Sequence, residues 1–374
     1  MSRFLCLLLL LFPAYSFPQD SLHKLQTDTL SLLFIGDIMG HDSQIKSAYD
    51  AETGAYDYED NFMYVKDEIT KAALCIANFE VTLAGPPYKG YPSFSSPDEL
   101  AVACKNSGMD VFALANNHIC DKGLKGLNRT LKTLDTIGVQ HTGAFSDSAD
   151  RSARYPMIIE KNNFRLSLLN YTYHTNYYPP PPPAVVNLID TVLIKKDLAC
   201  AQQDSTDFII VFFHWGKEYD TVPNNKQTAL ADFCFSNGAD AVIGSHPHVL
   251  QKVVWQKDSS GKDRFAAYSL GNFLSNQYWR KVDGGMMLKM TLVKDGDETT
   301  IDDAAYILSW VYRKQEDTGR TYHVLPCSRF ENDTGFFNEE FQFKKMKLFI
   351  DDSRKLMQEQ NQNVFEFFLQ KDAM

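Results

Sequence analysis

The sequence has no Cys-x-x-Cys pair among its seven cysteines, no surplus of basic residues, no internal repeat, and no long apolar run beyond its N-terminal leader. Each absence excludes something. Without closely paired cysteines a thiolate zinc site has no framework. A formal charge of −10 leaves no basic face for nucleic acid to bind. The missing repeat excludes a solenoid. With no later apolar stretch of about 20 residues, no transmembrane helix is expected past the leader.

What is present begins with that leader. Arg3 precedes the apolar run Phe4 to Phe12, and Ala14-Tyr15-Ser16 supplies small residues for cleavage after Ser16. Export to the periplasm or cell envelope is therefore expected, with residues 1–16 as signal peptide and an uncleaved anchor as the alternative. Export permits disulfides, but Cys75 and Cys234 sit in apolar segments and read as buried thiols, so pairing stays open. Hydrophobic residues at 44% and charged residues at 22% are ordinary for a globular chain.

Short β-rich runs alternate with helical stretches, an α/β pattern. Strands are expected at Leu30 to Ile38, Ala73 to Phe79, Val111 to Ala115, Phe164 to Tyr173, Phe208 to Phe213, Ala241 to Ile243 and Phe265 to Leu270. Ser96 reads as the N-cap of a helix with Pro97 in its first turn, Glu99 as its capping-box acid and Gly108 as its stop. Helices ending at Gly138 and Gly238 suit left-handed caps. Met286 to Val293 and Ile301 to Tyr312 read as a hairpin, and from Phe337 the pattern is amphipathic helix. These divisions predict a main domain over 30–282, completing strands over 283–330 and a helical tail over 331–374. Pro179 to Pro183 reads as an extended polyproline loop.

The chemistry gathers where strands end, as it does in open α/β sheets. The successive strand ends are Gly36-Asp37-Ile38-Met39-Gly40-His41, Asn78-Phe79-Glu80, Asn116-Asn117-His118, His214-Trp215-Gly216-Lys217-Glu218, Gly244-Ser245-His246-Pro247-His248 and Gly271-Asn272-Phe273. Five of the nine histidines occupy them, whereas His23, His141 and His323 read as ordinary surface or core residues. Carboxylate, amide and imidazole without thiolate suit a divalent metal such as Mn, Zn or Fe, as one or two ions. Pro247 restrains His246, and Gly244 lets the chain bend as it leaves its strand.

In this order the six motifs resemble the calcineurin-like metallophosphatases and, more closely, the CapA family of bacterial capsule (poly-gamma-glutamate) synthesis, from about Leu32 to Asn276. The resemblance implies a four-layer α/β/β/α sandwich with its site on one edge. It implies Asp37, Glu80, Asn117, His214, His246 and His248 as metal ligands, Asp37 also in the catalytic set, and His118 as proton donor. His41, Asn78, Asn116, His174, Lys217, Glu218 and Asn272 follow as substrate-binding candidates, with the tyrosines near Tyr177 at the mouth. Two departures stand out: His41 lies four residues after Asp37 where the metallophosphatases place a histidine two after, and Glu80 stands where they place an aspartate. The expected partner is an anionic cell-envelope polymer or a phosphoester, with a membrane-bound capsule synthase nearby. The competing expectation is a non-catalytic metal- or polymer-binding component of capsule export or attachment.

Overall fold

The computed structural model describes residues 27–176, 178–316 and 319–370, so the expected signal segment, His23 and Tyr177 lie outside it. Two sheets dominate. The first runs, in spatial order, Gly319–Pro326, Glu298–Glu316, Gly284–Asp295, Asp28–Ile38, Leu74–Phe79, Val111–Ala113 and Gln140–Thr142, with Asn272–Leu274 and Phe365–Glu366 paired alongside. The second runs Val253–Lys257, Asp263–Ala267, Ala241–Ser245, Phe208–His214, Phe164–Thr172 and Met157–Lys161.

Both sheets are apolar on both faces, because alternate residues point to opposite sides. In Asp28–Ile38, Leu30, Leu32 and Phe34 enter the core between the sheets, while Leu33 and Ile35 face outward. Phe208–His214 repeats the pattern: Phe208, Ile210 and Phe212 face inward, and Ile209, Val211 and Phe213 outward. The outer face of the first sheet buries Leu100, Leu127, Leu131 and Leu134 from helices Asp98–Asn106 and Gly123–Ile137. The outer face of the second buries Ile194, Leu198, Ala231 and Cys234 from helices Thr191–Gln203 and Asn225–Ser236. Three apolar layers between four sets of elements make the expected α/β/β/α sandwich.

Several local expectations need correction. Helix Asp98–Asn106 starts later than Ser96 would make it, with Pro97 at the N-cap position, and the Ser96 side chain makes no cap. Ser96 is instead buried against Gly40, where a Cβ would come within 2.0 Å of its Oγ. The stretch Phe265 to Leu270 is not one strand: pairing stops at Ala267, and left-handed Gly271 (φ +70°) turns the chain into the first sheet at Asn272. The proline run is not fully extended, since Ala184 N–H bonds Pro181 O at 3.0 Å and closes a turn. The C-terminal tail is not all helix. After helix Glu340–Gln360 the chain adds Phe365–Glu366 to the first sheet. Gly138 (φ +70°) caps its helix as expected, and Met286–Val293 and Ile301–Tyr312 lie in one antiparallel pair.

No helix among the described residues is long and apolar enough to cross a membrane. All six cysteines there are unpaired, and all but Cys200 are buried.

Candidate metal centre

Strands Asp28–Ile38, Leu74–Phe79 and Val111–Ala113 run parallel in one sheet, and Phe164–Thr172, Phe208–His214 and Ala241–Ser245 run parallel in the other. Their carboxyl ends therefore deliver side chains to a shared edge. Asp37 and Glu80 are fully buried there. Asn78 Nδ2 donates to Asp37 Oδ1 at 2.7 Å and to Glu80 Oε2 at 3.4 Å, tying the two carboxylates together. From the second sheet His214 places Nε2 3.6 Å from Glu80 Oε1 and 2.7 Å from Asn117 Oδ1.

The turn after Ala241–Ser245 supplies the other two imidazoles. His246 and His248 have positive φ, +99° and +58°, which non-glycine residues rarely adopt. Strain of that kind aims both rings inward, in place of the extended backbone that would carry them on one side. Gly244 is not the bend. It lies within its strand, and a Cβ there would meet Tyr268 O at 2.1 Å, so close packing is what demands glycine. His248 Nδ1 stands 2.9 Å from Asp37 Oδ2 and 3.1 Å from Asn272 Oδ1, and its Nε2 4.0 Å from Glu80 Oε1. His246 and His214 approach with ring centroids 4.6 Å apart.

Two sets of donors come within 4.8 Å of one another: Asp37, Glu80 and His214, and Glu80, His246 and His248. Glu80 belongs to both. Its Oε1, the Nδ1 of His246 and the Oδ1 of Asn78 are buried and have no hydrogen-bond partner among the described residues. Burying such groups unpaired costs about 1–3 kcal/mol each, so a convergent set of them fits a cation-binding role better than a folding requirement. Burial, with the Asp37 carboxylate next, pushes the Glu80 carboxyl well above its usual range. Burial likewise drives the His214 and His246 imidazoles well below theirs, so both stay neutral and able to ligate. The donor set suits a divalent transition metal.

Around this centre the remaining candidates take distinct places. His118 lies at the mouth, its Nδ1 2.8 Å from Asp121 Oδ2 and its ring edge-on to Phe94. Asn116 donates to Phe79 O and accepts from His118 N–H, so its amide shapes the turn that presents His118. Asn272 donates to Gln277 Oε1 and Val282 O while its oxygen faces His248. His41 stands outside both donor sets. It begins helix Asp42–Ala48, with Nδ1 3.0 Å from Gln44 Oε1, and burial lowers its pKa to about 4. A neutral His41 offers a hydrogen bond, not charge, to a ligand. Glu218 lines two adjoining mouth cavities and His174 one of them. Lys217 lines neither; it is exposed and faces Asp220 at 3.7 Å.

Asp121, Tyr173 and Tyr219 are not among the site residues expected from the sequence. Tyr173 packs on His246 with ring centroids 4.5 Å apart. The spacing His118-Ile119-Cys120-Asp121 was the available signal for the first, since a three-residue step in a turn brings imidazole and carboxylate together.

The sequence comparison fits this geometry. Over 289 residues the chain is 28% identical to the capsule biosynthesis protein CapA of Bacillus anthracis, covering 72% of this chain and 66% of that one. It is also 28% identical over 282 residues to the PGA biosynthesis protein CapA of Bacillus subtilis (strain 168), covering 72% and 69%. The chain thus spans about two thirds of the length of these curated relatives. Among solved structures, the NAD nucleotidase NadN of Haemophilus influenzae superposes with a TM-score of 0.50 at 14% identity, over 93% of this chain and 65% of that one. That likeness concerns the fold alone, an α/β/β/α sandwich. Residues 31–277 match the model of the bacterial capsule synthesis protein PGA_cap, and the chain belongs to that family.

Proposed function

We propose that this chain is an exported, metal-dependent hydrolase of capsule biosynthesis, cleaving a phosphoester or acyl bond in a cell-envelope polymer or its precursor. The observation that carries this reading is the fully buried Glu80, which has an unpartnered carboxylate oxygen and belongs to two sets of donors. Asp37, Glu80 and His214 would hold one ion, and Glu80, His246 and His248 a second, with Asn117 beside His214. When bound, a divalent ion supplies Lewis-acid polarisation and acidifies water at neutral pH.

The side chains do the rest. Asn78 keeps the two carboxylates in register, and Asn272 with Asp37 orients the His248 ring. Asp121 Oδ2, 2.8 Å from His118 Nδ1, holds the ring in its orientation. In this reading His118 presents Nε2 to the leaving oxygen as its proton donor. The relatives named for capsule and PGA biosynthesis support the envelope context.

Mature protein loaded with manganese or zinc is expected to hydrolyse an aryl phosphodiester or amide in a substrate panel. His118→Ala should cut turnover by about 10²–10⁴-fold, the usual worth of a positioned acid, with metal content unchanged. Full metal occupancy with no turnover across the panel would overturn the hydrolase reading in favour of a metal- or polymer-binding accessory role.

A further inference from the structure

Beside the metal centre, where the outer helices meet the second sheet, lies a larger cavity that the metal chemistry does not use. It measures about 990 Å³, the upper end of the range for small-molecule sites. Ile189 lines it, with Trp215 and with Ala229, Leu230 and Phe233 of helix Asn225–Ser236. Ile189, Leu230 and Phe233 are only partly buried, although they pack against the apolar layer that holds Trp215. Leu188 and Val192, next in the chain to the lining residues Ile189 and Thr191, are exposed by 38% and 79%. An apolar ligand there would take this remaining surface out of water. The polar lining lies mostly at the start of the helix, where Asn224 and Gln227 already cap one another.

Two loops carry this groove to the metal centre. On the first, Tyr173 lines the groove, packs its ring on His246 and donates its N–H to His214 O at 3.0 Å. The next residue, His174, lines the mouth. On the second, Trp215 and Gly216 line the groove directly after His214, and Glu218 lines the mouth two residues on. Each step from groove to mouth therefore spans at most about 7 Å of extended chain. Ile189 N–H bonds Thr172 O at 2.9 Å, which holds the groove wall to the same strand end. Gly216 has φ +93°, and a Cβ there would lie 2.9 Å from the Gln227 side chain, so the loop runs close against the helix.

This continuity decides the occupant. A separate protein partner would have no need to reach the end of the strand that bears His214. A substrate with an apolar tail would, because its reacting group must lie at the mouth while its tail needs a dry surface. We propose that the groove is the subsite for a long hydrocarbon chain, acyl or prenyl, of an amphiphilic substrate whose polar head sits beside His118 and Glu218. The envelope precursor is thereby narrowed to one carried on a lipid. The proposal rests on the hydrolase reading for the cleavage, whereas the binding of the chain stands by itself.

The test is calorimetric titration of mature, manganese-loaded protein with n-alkylphosphonates from ethyl to dodecyl and with geranyl and farnesyl phosphonates, each below its micellar concentration. Affinity should rise about three- to fourfold per added methylene until the groove is filled. A steeper gain in one series names the source of the chain, and a gain in either supports the groove. Leu230→Gln should flatten the dependence on chain length. Ala229→Trp, at an exposed position on the same wall, should do so by filling the space even if Leu230→Gln misfolds. Phe365→Ala, an exposed aromatic on the C-terminal strand, should leave the dependence as it was. No gain from ethyl to dodecyl, or a gain that survives Ala229→Trp, would overturn the groove. Chain-length dependence without turnover of any ester would remove the hydrolase reading and leave the groove. Turnover of an aryl phosphodiester with no chain-length dependence would do the reverse.

Discussion

Glu80 concentrates the conflict that a metal would resolve. Its carboxyl is buried beside Asp37, and burial raises its pKa well above the ordinary carboxylate value. A folded value above the unfolded one, about 4.3, means that the favourable protonated state is fully present below that pH. Stability of the metal-free protein is then lost as pH rises toward the folded value. At neutral pH, Glu80→Gln should leave the metal-free protein equally or more stable by thermal unfolding. The same variant should lose most of the stabilisation that metal brings, which for one ion at a hundredfold excess over Kd is about 2.7 kcal/mol. An undiminished metal-induced rise in Tm would remove Glu80 as a shared ligand. The polar runs ending the strands made this residue, Asp37 and the four histidines His118, His214, His246 and His248 legible in the sequence. Asp121 and Tyr173 were not, because their parts depend on neighbours reached through space.

The strand Asp28–Ile38 delivers Asp37 through a crowded crossing. Asp37 N–H bonds Gly271 O at 3.0 Å where the chain passes from one sheet to the other. A Cβ on Gly36 would lie 2.1 Å from that same oxygen. Gly36→Ala should therefore push the crossing apart, costing about 1–3 kcal/mol as overpacking does, and lower metal affinity because Asp37 moves with it. Chemical denaturation and metal titration read the two effects, and a variant with native stability and affinity would contradict the crowding. At this scale the sequence was informative where a local rule acts alone: alternating apolar residues announced the strands, and Gly138 announced its helix end. It misled at Ser96, where a tertiary contact with Gly40 outweighs capping propensity.

Across the whole molecule, the long hairpin Gly284–Asp295 and Glu298–Glu316 extends the first sheet, and helix Glu340–Gln360 shares its core. Met346, Phe349, Ile350 and Met357 join Met286, Leu308 and Trp310 in the layer between the sheets. Phe349 reaches the backbone of Gly284, where a Cβ would come within 2.7 Å of its ring. Phe349→Ala should cost about 3–5 kcal/mol of unfolding free energy, measured by denaturant titration; a loss below about 1 kcal/mol would make the helix a loose appendage. Period-two and period-3.6 patterning determined the layers from the chain alone, and polar groups at successive strand ends marked the candidate donors, since both are written in short stretches of sequence. Which oxygen of Glu80 is left unpaired and how the strained turn at His246 and His248 faces Asp37 were decided only by the packing of one sheet on the other. Those features depend on distances between residues as far apart as 37 and 248, and local periodicity carries no measure of them.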